Sequence, residues 1–367
     1  MTLGQTAVGT PVHVNLSGTR TCHALISGTT GSGKTVTEQL IAWTLATDND
    51  PRSVRLLLVD GKGGTSWWGF EREAHLAHPV IGDPGEAVAL ASLRALLAGG
   101  APVRRPYQAP VSWRILPRVL GQAVRALRQA EEVAAISLSA VSDNPVFIPP
   151  GPGQPHGRVL ANGGYHNARV APALDALAAS AADLALLADR QTTKLLDGKV
   201  SLLPDQLLPA GPAGAADGTF LGCLAMTALG YAEQARAAAR TTLLPGSEGG
   251  GFGQNDVASV AFPAWRRQDE AGTCLTATLA ALAVVASQAL HVTGRPAPPA
   301  LVGLLETVRQ EVPVVLTPRA LGPEVGRLHA RFEAQTTALE PEPWLAGVRL
   351  GPAPAEAAPA GIAPSRE

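Results

Sequence analysis

The sequence predicts a mixed fold, in which a small α/β unit is followed by a mainly α-helical bundle. Up to about Leu90, short apolar runs alternate with loops, as strands and helices do in an α/β unit. From about Ser112 the chain becomes rich in Ala and Leu, and Leu116, Leu120 and Val124 keep one face apolar over successive helical turns. The 367-residue chain is therefore expected to hold two structural units.

The front unit is predicted to contain one strand-helix-strand arrangement. Residues 23–27 and 54–60 are apolar runs of strand length, and residues 34–46 between them have the pattern of a helix. The join to the helical region is expected within residues 83–105, where one helical run suits either unit.

The helical region contains a long uncharged stretch at residues 271–290, about the length of a membrane span. Because Leu275, Leu279, Leu282 and Val285 recur at helical spacing, the stretch is interpreted as a buried helix of a bundle. No membrane association is predicted. The Ala- and Pro-rich tail, residues 350–367, is expected to be disordered.

The charge balance and the cysteine spacing indicate which partners and which compartment the chain suits. The chain has 29 basic and 30 acidic residues, so its net charge of -1 provides no general attraction for DNA, which stays a candidate partner without support from charge. Cys22, Cys223 and Cys274 have no metal-type spacing and suit a reducing compartment, and the N-terminal residues do not resemble a secretory signal. A cytoplasmic protein with free thiols is expected.

A complete phosphate-loop motif, GxxxxGK[ST], lies between the first predicted strand and the helix. Its glycines let backbone N–H groups face phosphate oxygens at the start of the helix, Lys34 would reach the outer phosphates, and the Thr35 hydroxyl would serve Mg²⁺. ATP with Mg²⁺ is the expected cofactor. The nucleotide-binding residues are predicted to be Gly28, Thr29, Thr30, Gly31, Ser32, Gly33, Lys34 and Thr35.

Residues 1–95 resemble the start of the motor domain of FtsK/SpoIIIE-type DNA translocases. The resemblance rests on residues 9–41 around the motif and on residues 54–64, where Asp60-Gly61-Lys62-Gly63 replaces the family's Asp-Pro-Lys-Gly. Asp60 could substitute as the metal-side acid, but Gly61 follows it and no downstream Walker B strand is found. Nucleotide binding without efficient hydrolysis is therefore expected, with Thr35 and Asp60 as metal ligands.

Residues 104 to about 295 resemble the histidine and phenylalanine ammonia-lyases, which implies a helical domain of ammonia-lyase type at residues 104–312. Four segments match family signatures in order: residues 108–114 (QAPVSWR), 142–145 (SDNP), 163–166 (GGYH) and 253–256 (GQND). The family's electrophile is a methylidene-imidazolone made from an internal Ala-Ser-Gly, and its active sites draw residues from more than one subunit. The resemblance therefore implies a homotetramer.

The matched residues suit an aromatic amino acid as ligand. Arg114 offers a planar fork for a carboxylate and Tyr165 a flat face for a ring, while Gln108, Asn144 and Asn255 offer neutral hydrogen-bonding groups. Taken singly, each has an ordinary alternative: a surface ion pair for Arg114, core packing for Tyr165, and a turn before proline for Asn144.

The departures from the family concern the reaction itself. The sequence contains no Ala-Ser-Gly, the family segment that carries the tyrosine base has no counterpart, and Val111 stands where a tyrosine is usual. No catalytic residue is assigned, and no methylidene-imidazolone is encoded. At Asn255 histidine lyases carry glutamate, so the neutral amide mildly favours an aryl substrate.

The leading hypothesis is an aromatic amino acid ammonia-lyase-like protein fused to an ATP-binding segment and inactive as a lyase on its own. One alternative is an ATP-binding protein related to the FtsK/SpoIIIE DNA translocases. Another is a subunit of a split lyase that needs a complementing N-terminal half. If the chain is an enzyme, it is expected to be a carbon-nitrogen lyase with weak or no ATPase activity.

Overall fold

The computed structural model divides the chain into two compact units, Met1–Ala87 and Val88–Glu367. It describes residues 2–5, 11–13, 25–27, 32–60, 65–70, 72–77, 80–100, 107–207, 221–244, 252–254 and 256–336. The predicted disordered tail at residues 350–367 lies outside this description.

The first unit begins with an antiparallel pair of strands, β1 (Thr2–Gln5) and β2 (Pro11–His13), and continues with helix α1 (Lys34–Asp48). The predicted helix at residues 34–46 is thus present. Residues 25–27, the described part of the predicted first strand, have no regular structure, and the Leu25 side chain is 93% exposed.

The second predicted strand of this unit is extended and pairs in parallel with residues 75–77 and with Ile81. Leu56 N donates to His75 O (2.7 Å), Ile81 N to Leu58 O (2.9 Å) and Asp60 N to Ile81 O (2.8 Å). The pairing consists of isolated bridges rather than a continuous ladder. Its apolar side chains form a small core with α1, made of Ala42, Leu56, Leu58, Trp67 and Phe70.

The second unit is mainly helical, as predicted. A hairpin of β3 (Val146–Ile148) and β4 (Arg158–Leu160) separates α4 (Leu116–Ser139) from α5 (Val170–Leu196). Helix α2 starts in the last residues of the first unit. The helices are α2 (Pro84–Leu97), α3 (Val111–Arg114), α4 (Leu116–Ser139), α5 (Val170–Leu196), α6 (Gly198–Ser201), α7 (Gly222–Ala238), α8 (Ala261–Thr293), α9 (Val302–Glu311) and α10 (Gly322–Thr336).

The bundle centres on α5, α7 and α8, which pack through small side chains. Ala185 of α5, Ala235 of α7 and Ala271 of α8 are each 0% exposed. Because an alanine projects only a methyl group, the helices can approach closely along this seam. The uncharged stretch 271–290 lies within α8 and is a core helix, as predicted, although Leu279 is 41% exposed.

Two helical segments, Gly164–Leu196 and Ala261–Thr293, are long and apolar enough to cross a membrane. Both contribute to the bundle core, and core helices of water-soluble proteins pass the same test. Each also buries polar side chains, among them Gln191 of α5 and Gln288 of α8.

The end of the bundle is closed by α9 and α10. Leu221, Val285, Val312 and Leu328 belong to one apolar cluster with few exposed atoms. Gln288 fixes the segment between α9 and α10, because its amide donates to Val315 O (3.0 Å) and accepts from Val315 N (3.0 Å).

Candidate functional site

Helix α1 begins within the phosphate-loop motif. Gly33 precedes it with φ = 83°, a left-handed conformation that glycine adopts without strain. No side chain of the described residues caps the helix, and no acidic residue lies in its first turn. The N–H groups of that turn therefore suit an anion. Lys34 and Thr35 are its first residues, Ser32 lies two residues before it, and Gly28, Thr29, Thr30 and Gly31 lie outside the described residues.

Asp60 lies at the end of the extended segment 54–60, with only 6% of the residue exposed. Its Oδ2 accepts a hydrogen bond from Ser66 N (2.8 Å), at the start of the 3-10 turn Thr65–Phe70. The carboxylate therefore holds this turn in place. A metal-side role for Asp60 stays a prediction.

The predicted amino-acid site is divided between distant parts of the second unit. Asn144 and Tyr165 lie in loops beyond the C-terminal end of α4 and before the N-terminal end of α5. Asn144 Oδ1 accepts from Asn162 N (2.9 Å), and Asn162 Oδ1 accepts from Gly164 N (2.7 Å). These bonds join the matched segments 142–145 and 163–166.

A further bond brings the fourth matched segment towards the same end. Ser259, three residues beyond that segment, donates its hydroxyl to His166 O (2.9 Å). Asn255 lies outside the described residues. Tyr165 is 45% exposed, so its ring does not serve as core packing within the chain.

Gln108 and Arg114 lie at the opposite end of the α4–α5 pair. Both are exposed, and Arg114 Nε donates to Ala109 O (3.0 Å). The segment is tied to the C-terminal part of α5, since the buried Gln191 donates its side-chain amide to Ser112 O (3.0 Å). The first matched segment therefore contacts a different part of α5 from the other matched segments.

The separation follows from helix geometry. Ser137, near the end of α4, bonds Asn167 before the start of α5 (3.2 Å and 3.0 Å), so the two helices run antiparallel. With 24 residues, α4 is about 36 Å long at about 1.5 Å per residue. Arg114 and Tyr165 are therefore not neighbours within one chain.

A small cavity adjoins the Tyr165 end. Its volume is about 180 Å³, and it is lined by the 166–168 loop, the first turn of α5, Thr242, Leu244 and the start of α8. His166 lines this cavity, and its buried Nε2 has no hydrogen-bond partner among the described residues. A buried imidazole nitrogen requires a partner, so the cavity suits a small ligand or water that can supply one.

One wall of the cavity rests on a polar cluster. Asp175 accepts hydrogen bonds from Thr242 N (2.7 Å) and Thr242 Oγ1 (2.8 Å), and Arg267 donates to Thr242 Oγ1 (3.2 Å). Sequence reasoning missed Asp175, Thr242 and a role for His166. No local pattern marks Asp175 and Thr242, because they are far apart in the chain, whereas His166 is the last residue of the matched segment 163–166.

Two titratable groups inside the bundle have shifted pKa values. Burial raises the pKa of Asp189 above its usual value, although Arg190 opposes the shift and Glu233 adds to it. Burial likewise raises the pKa of the Cys274 thiol, and the Glu270 carboxylate contributes. Cys274 and Cys223 are not in disulfides. Among the described residues, no cluster of three His, Cys, Asp or Glu side chains could hold a metal.

Comparison with protein families matches two regions. Residues 70–312 match the aromatic amino acid lyase family, and residues 1–98 match the FtsK/SpoIIIE family. The helical bundle and the ordered motif segments thus define a lyase-type protein. The chain belongs to the aromatic amino acid lyase family and carries an N-terminal FtsK/SpoIIIE match, which confirms both resemblances.

Relatives include histidine ammonia-lyases. That of Aromatoleum aromaticum is 31% identical over 270 residues, covering 70% of this chain and 48% of the relative. That of Burkholderia multivorans is 31% identical over 242 residues, covering 64% and 46%. The chain thus spans about half the length, or less, of the curated relatives it matches.

Solved structures share the fold. Histidine ammonia-lyase from Trypanosoma cruzi superposes with a TM-score of 0.59 at 19% identity, covering 69% of this chain and 46% of that one. The ergothionase from Treponema denticola gives a TM-score of 0.59 at 17% identity, covering 70% and 50%. Tyrosine aminomutase from Streptomyces globisporus gives 0.55 at 23%, covering 69% and 47%.

Proposed function

We propose that this chain binds an aromatic amino acid between copies of itself and does not eliminate ammonia alone. The observation that carries the proposal is the distance between the predicted ligand residues. Arg114 and Gln108 lie at one end of the α4–α5 pair, and Asn144 and Tyr165 lie at the other. A ligand of amino-acid size cannot contact both ends of a helix about 36 Å long.

A second copy placed antiparallel would bring its Arg114 to the Tyr165 loop. The resemblance supports this arrangement, because family active sites draw residues from more than one subunit and the family assembles as tetramers. Exposed apolar side chains of the helical unit would pack in the interface between the copies. They include Leu138 of α4, Phe262 and Trp265 of α8, and Met226 of α7.

Elimination needs more than this chain encodes. The β-proton of an amino acid is weakly acidic and the ammonium group is a poor leaving group, so the reaction depends on an electrophile and a positioned base. The sequence has no Ala-Ser-Gly from which the family's electrophile is made, and Val111 cannot transfer a proton. In this proposal, Arg114 binds the carboxylate of the amino acid and the Tyr165 ring packs against its aromatic side chain.

The N-terminal segment is proposed to bind ATP with Mg²⁺. The uncapped first turn of α1 and its lack of acidic residues support a phosphate there, with Lys34 on the outer phosphates. Thr35 and Asp60 would be the protein ligands of the Mg²⁺ ion. Slow turnover is proposed, since Gly61 follows Asp60 where a catalytic glutamate would be needed, and a cytoplasmic location is proposed with it.

The test is to incubate the purified protein with histidine, phenylalanine or tyrosine and to follow the absorbance of the unsaturated acid. The same assay is then repeated with a separately expressed lyase N-terminal half. No product from the chain alone is expected. Product from the chain alone would overturn the proposal, whereas product only from the mixture would identify a split lyase.

Binding is measured separately by titration calorimetry with phenylalanine. Arg114→Ala should weaken binding by about tenfold or more, because the carboxylate loses its charged partner. Arg128→Ala, on the exposed surface of α4, is the matched control and should bind as wild type does. Equal binding by both variants would exclude Arg114 from the site.

A further inference from the structure

A second cavity, of about 350 Å³, lies between α7, α8 and α10. Its volume falls in the range of about 300–1,000 Å³ that is typical of small-molecule sites. Leu224, Leu321 and Val325 provide apolar walls, and the polar groups of Cys223, Thr227, Tyr231 and His329 line the same space. Part of the lining comes from α10, which follows the residues matched to the lyase family.

Two glycines of α10 lie at the open side of this cavity. Gly322 and Gly326 both line it, and a Cβ added at either one would meet no atom within 4 Å. They lie four residues apart, so they share one face of the helix. Glycine in a helix costs about 1 kcal/mol relative to alanine, and neither position requires it for backbone conformation.

The polar groups define what would bind. His329 Nε2 is buried and lies 3.3 Å from Glu333 Oε1, an ion pair only when the imidazole is protonated, and it makes no other polar contact among the described residues. The Thr227 hydroxyl already donates to Cys223 O (3.0 Å), so its oxygen is left as an acceptor. Among the described residues that line the cavity there is no Lys or Arg, so these residues favour a neutral ligand over a phosphate or another strong anion.

We propose that this cavity is a binding site for a small, neutral and largely aromatic molecule that forms one hydrogen bond with the imidazole of His329. The ring of such a molecule packs against Leu224, Val325 and the face of Tyr231. The site is independent of the amino-acid site, because none of its lining residues belongs to the four matched segments.

Indole is the probe, and its binding to the full chain is measured by saturation-transfer NMR and calorimetry. Gly326→Leu should fill the cavity and weaken indole binding by about tenfold or more. The change should not impair folding, since leucine favours a helix more than glycine does. The matched control is Gly303→Leu on α9, where an added Cβ also meets no described atom within 4 Å and which is not among the residues that line this cavity.

A second measurement uses wild-type protein alone. Alkylation of Cys223 by iodoacetamide, followed by peptide mapping, should slow when indole is present, while the buried Cys274 should stay unmodified with and without indole. Three results would overturn the proposal: no indole binding at about 1 mM, equal binding by Gly326→Leu and wild type, or indole binding that leaves the alkylation rate of Cys223 unchanged.

Discussion

The Asp175 carboxylate accepts hydrogen bonds from both the backbone N–H and the hydroxyl of Thr242, a residue 67 positions away in the sequence. The pair joins the first turns of α5 to the segment that follows α7, beside the cavity at the Tyr165 end. The two hydrogen bonds hold Thr242 in place, and with it the segment that carries Leu244 and lines the cavity together with His166.

Replacing Asp175 with alanine should lower the free energy of unfolding by roughly 1–3 kcal/mol, because the half-buried Thr242 N–H loses its acceptor. Urea unfolding followed by circular dichroism measures the loss. Asp269→Ala, at an exposed position of α8, is the control and should change stability little. Equal losses in the two variants would contradict a specific role for the pair.

Gln288→Leu should be more damaging, by roughly 2–4 kcal/mol. The change leaves both Val315 N and Val315 O without a partner in a buried region, and each unsatisfied group costs about 1–3 kcal/mol. Thermal and urea unfolding provide the measurement. Gln122→Leu, exposed on α4, should retain wild-type stability, and a Gln288→Leu protein as stable as this control would refute the prediction.

Stability should fall as the pH rises through the pKa of Asp189. Burial raises the pKa of this carboxyl group in the folded state, so the folded protein holds the proton more tightly than the unfolded chain does. The stabilising effect is complete below the unfolded value of 3.8 and is lost as the pH rises through the folded pKa. Asp189→Asn should remove this part of the pH dependence.

The measurement is urea unfolding of wild type and Asp189→Asn at pH values from the acid range to neutral. The difference in stability between the variant and wild type should move in favour of the variant as the pH increases. A constant difference across the series would show that Asp189 does not titrate differently on folding. Asp269→Asn serves as the exposed control.

Lys34→Ala should weaken binding of a fluorescent ATP analogue by about tenfold or more in the presence of Mg²⁺. Titration by fluorescence anisotropy measures the affinity, and Lys199→Ala, in the helical unit, is the control. Equal affinities of Lys34→Ala and wild type for the analogue would show that Lys34 does not contact the nucleotide, which would contradict binding at this segment. Brisk hydrolysis stimulated by DNA would contradict the predicted slow turnover and favour the translocase alternative.

The helical unit should self-associate at micromolar concentration. Phe262 and Trp265 are 74% and 51% exposed on adjacent turns of α8, and water contact of such side chains is unfavourable. Light scattering of wild type and of the double variant Phe262→Ser, Trp265→Ser measures the assembly. The variant should be smaller, and a monomeric wild type would refute the prediction.

The sequence was sufficient to predict the long helices, because α1, α4, α5 and α8 carry apolar residues at helical spacing. It was less informative about the first strand, since a short apolar run such as residues 23–27 does not reveal whether a partner strand pairs with it. The contact of Asp175 with Thr242 depends on tertiary packing. Motif order alone also says nothing of distance, so the separation of Arg114 from Tyr165 required the helix geometry.

The antiparallel α4–α5 pair sets a fixed distance between the matched segment at Arg114 and the loops at Asn144 and Tyr165. In a symmetric assembly its length sets how far apart equivalent ligand positions lie, independent of the loops at either end. One inserted residue within α4 would rotate everything beyond it by about 100° and shift it by about 1.5 Å. Changes in helix length should therefore be far less tolerated during divergence than changes of loop length, even where neither alters a ligand-binding side chain.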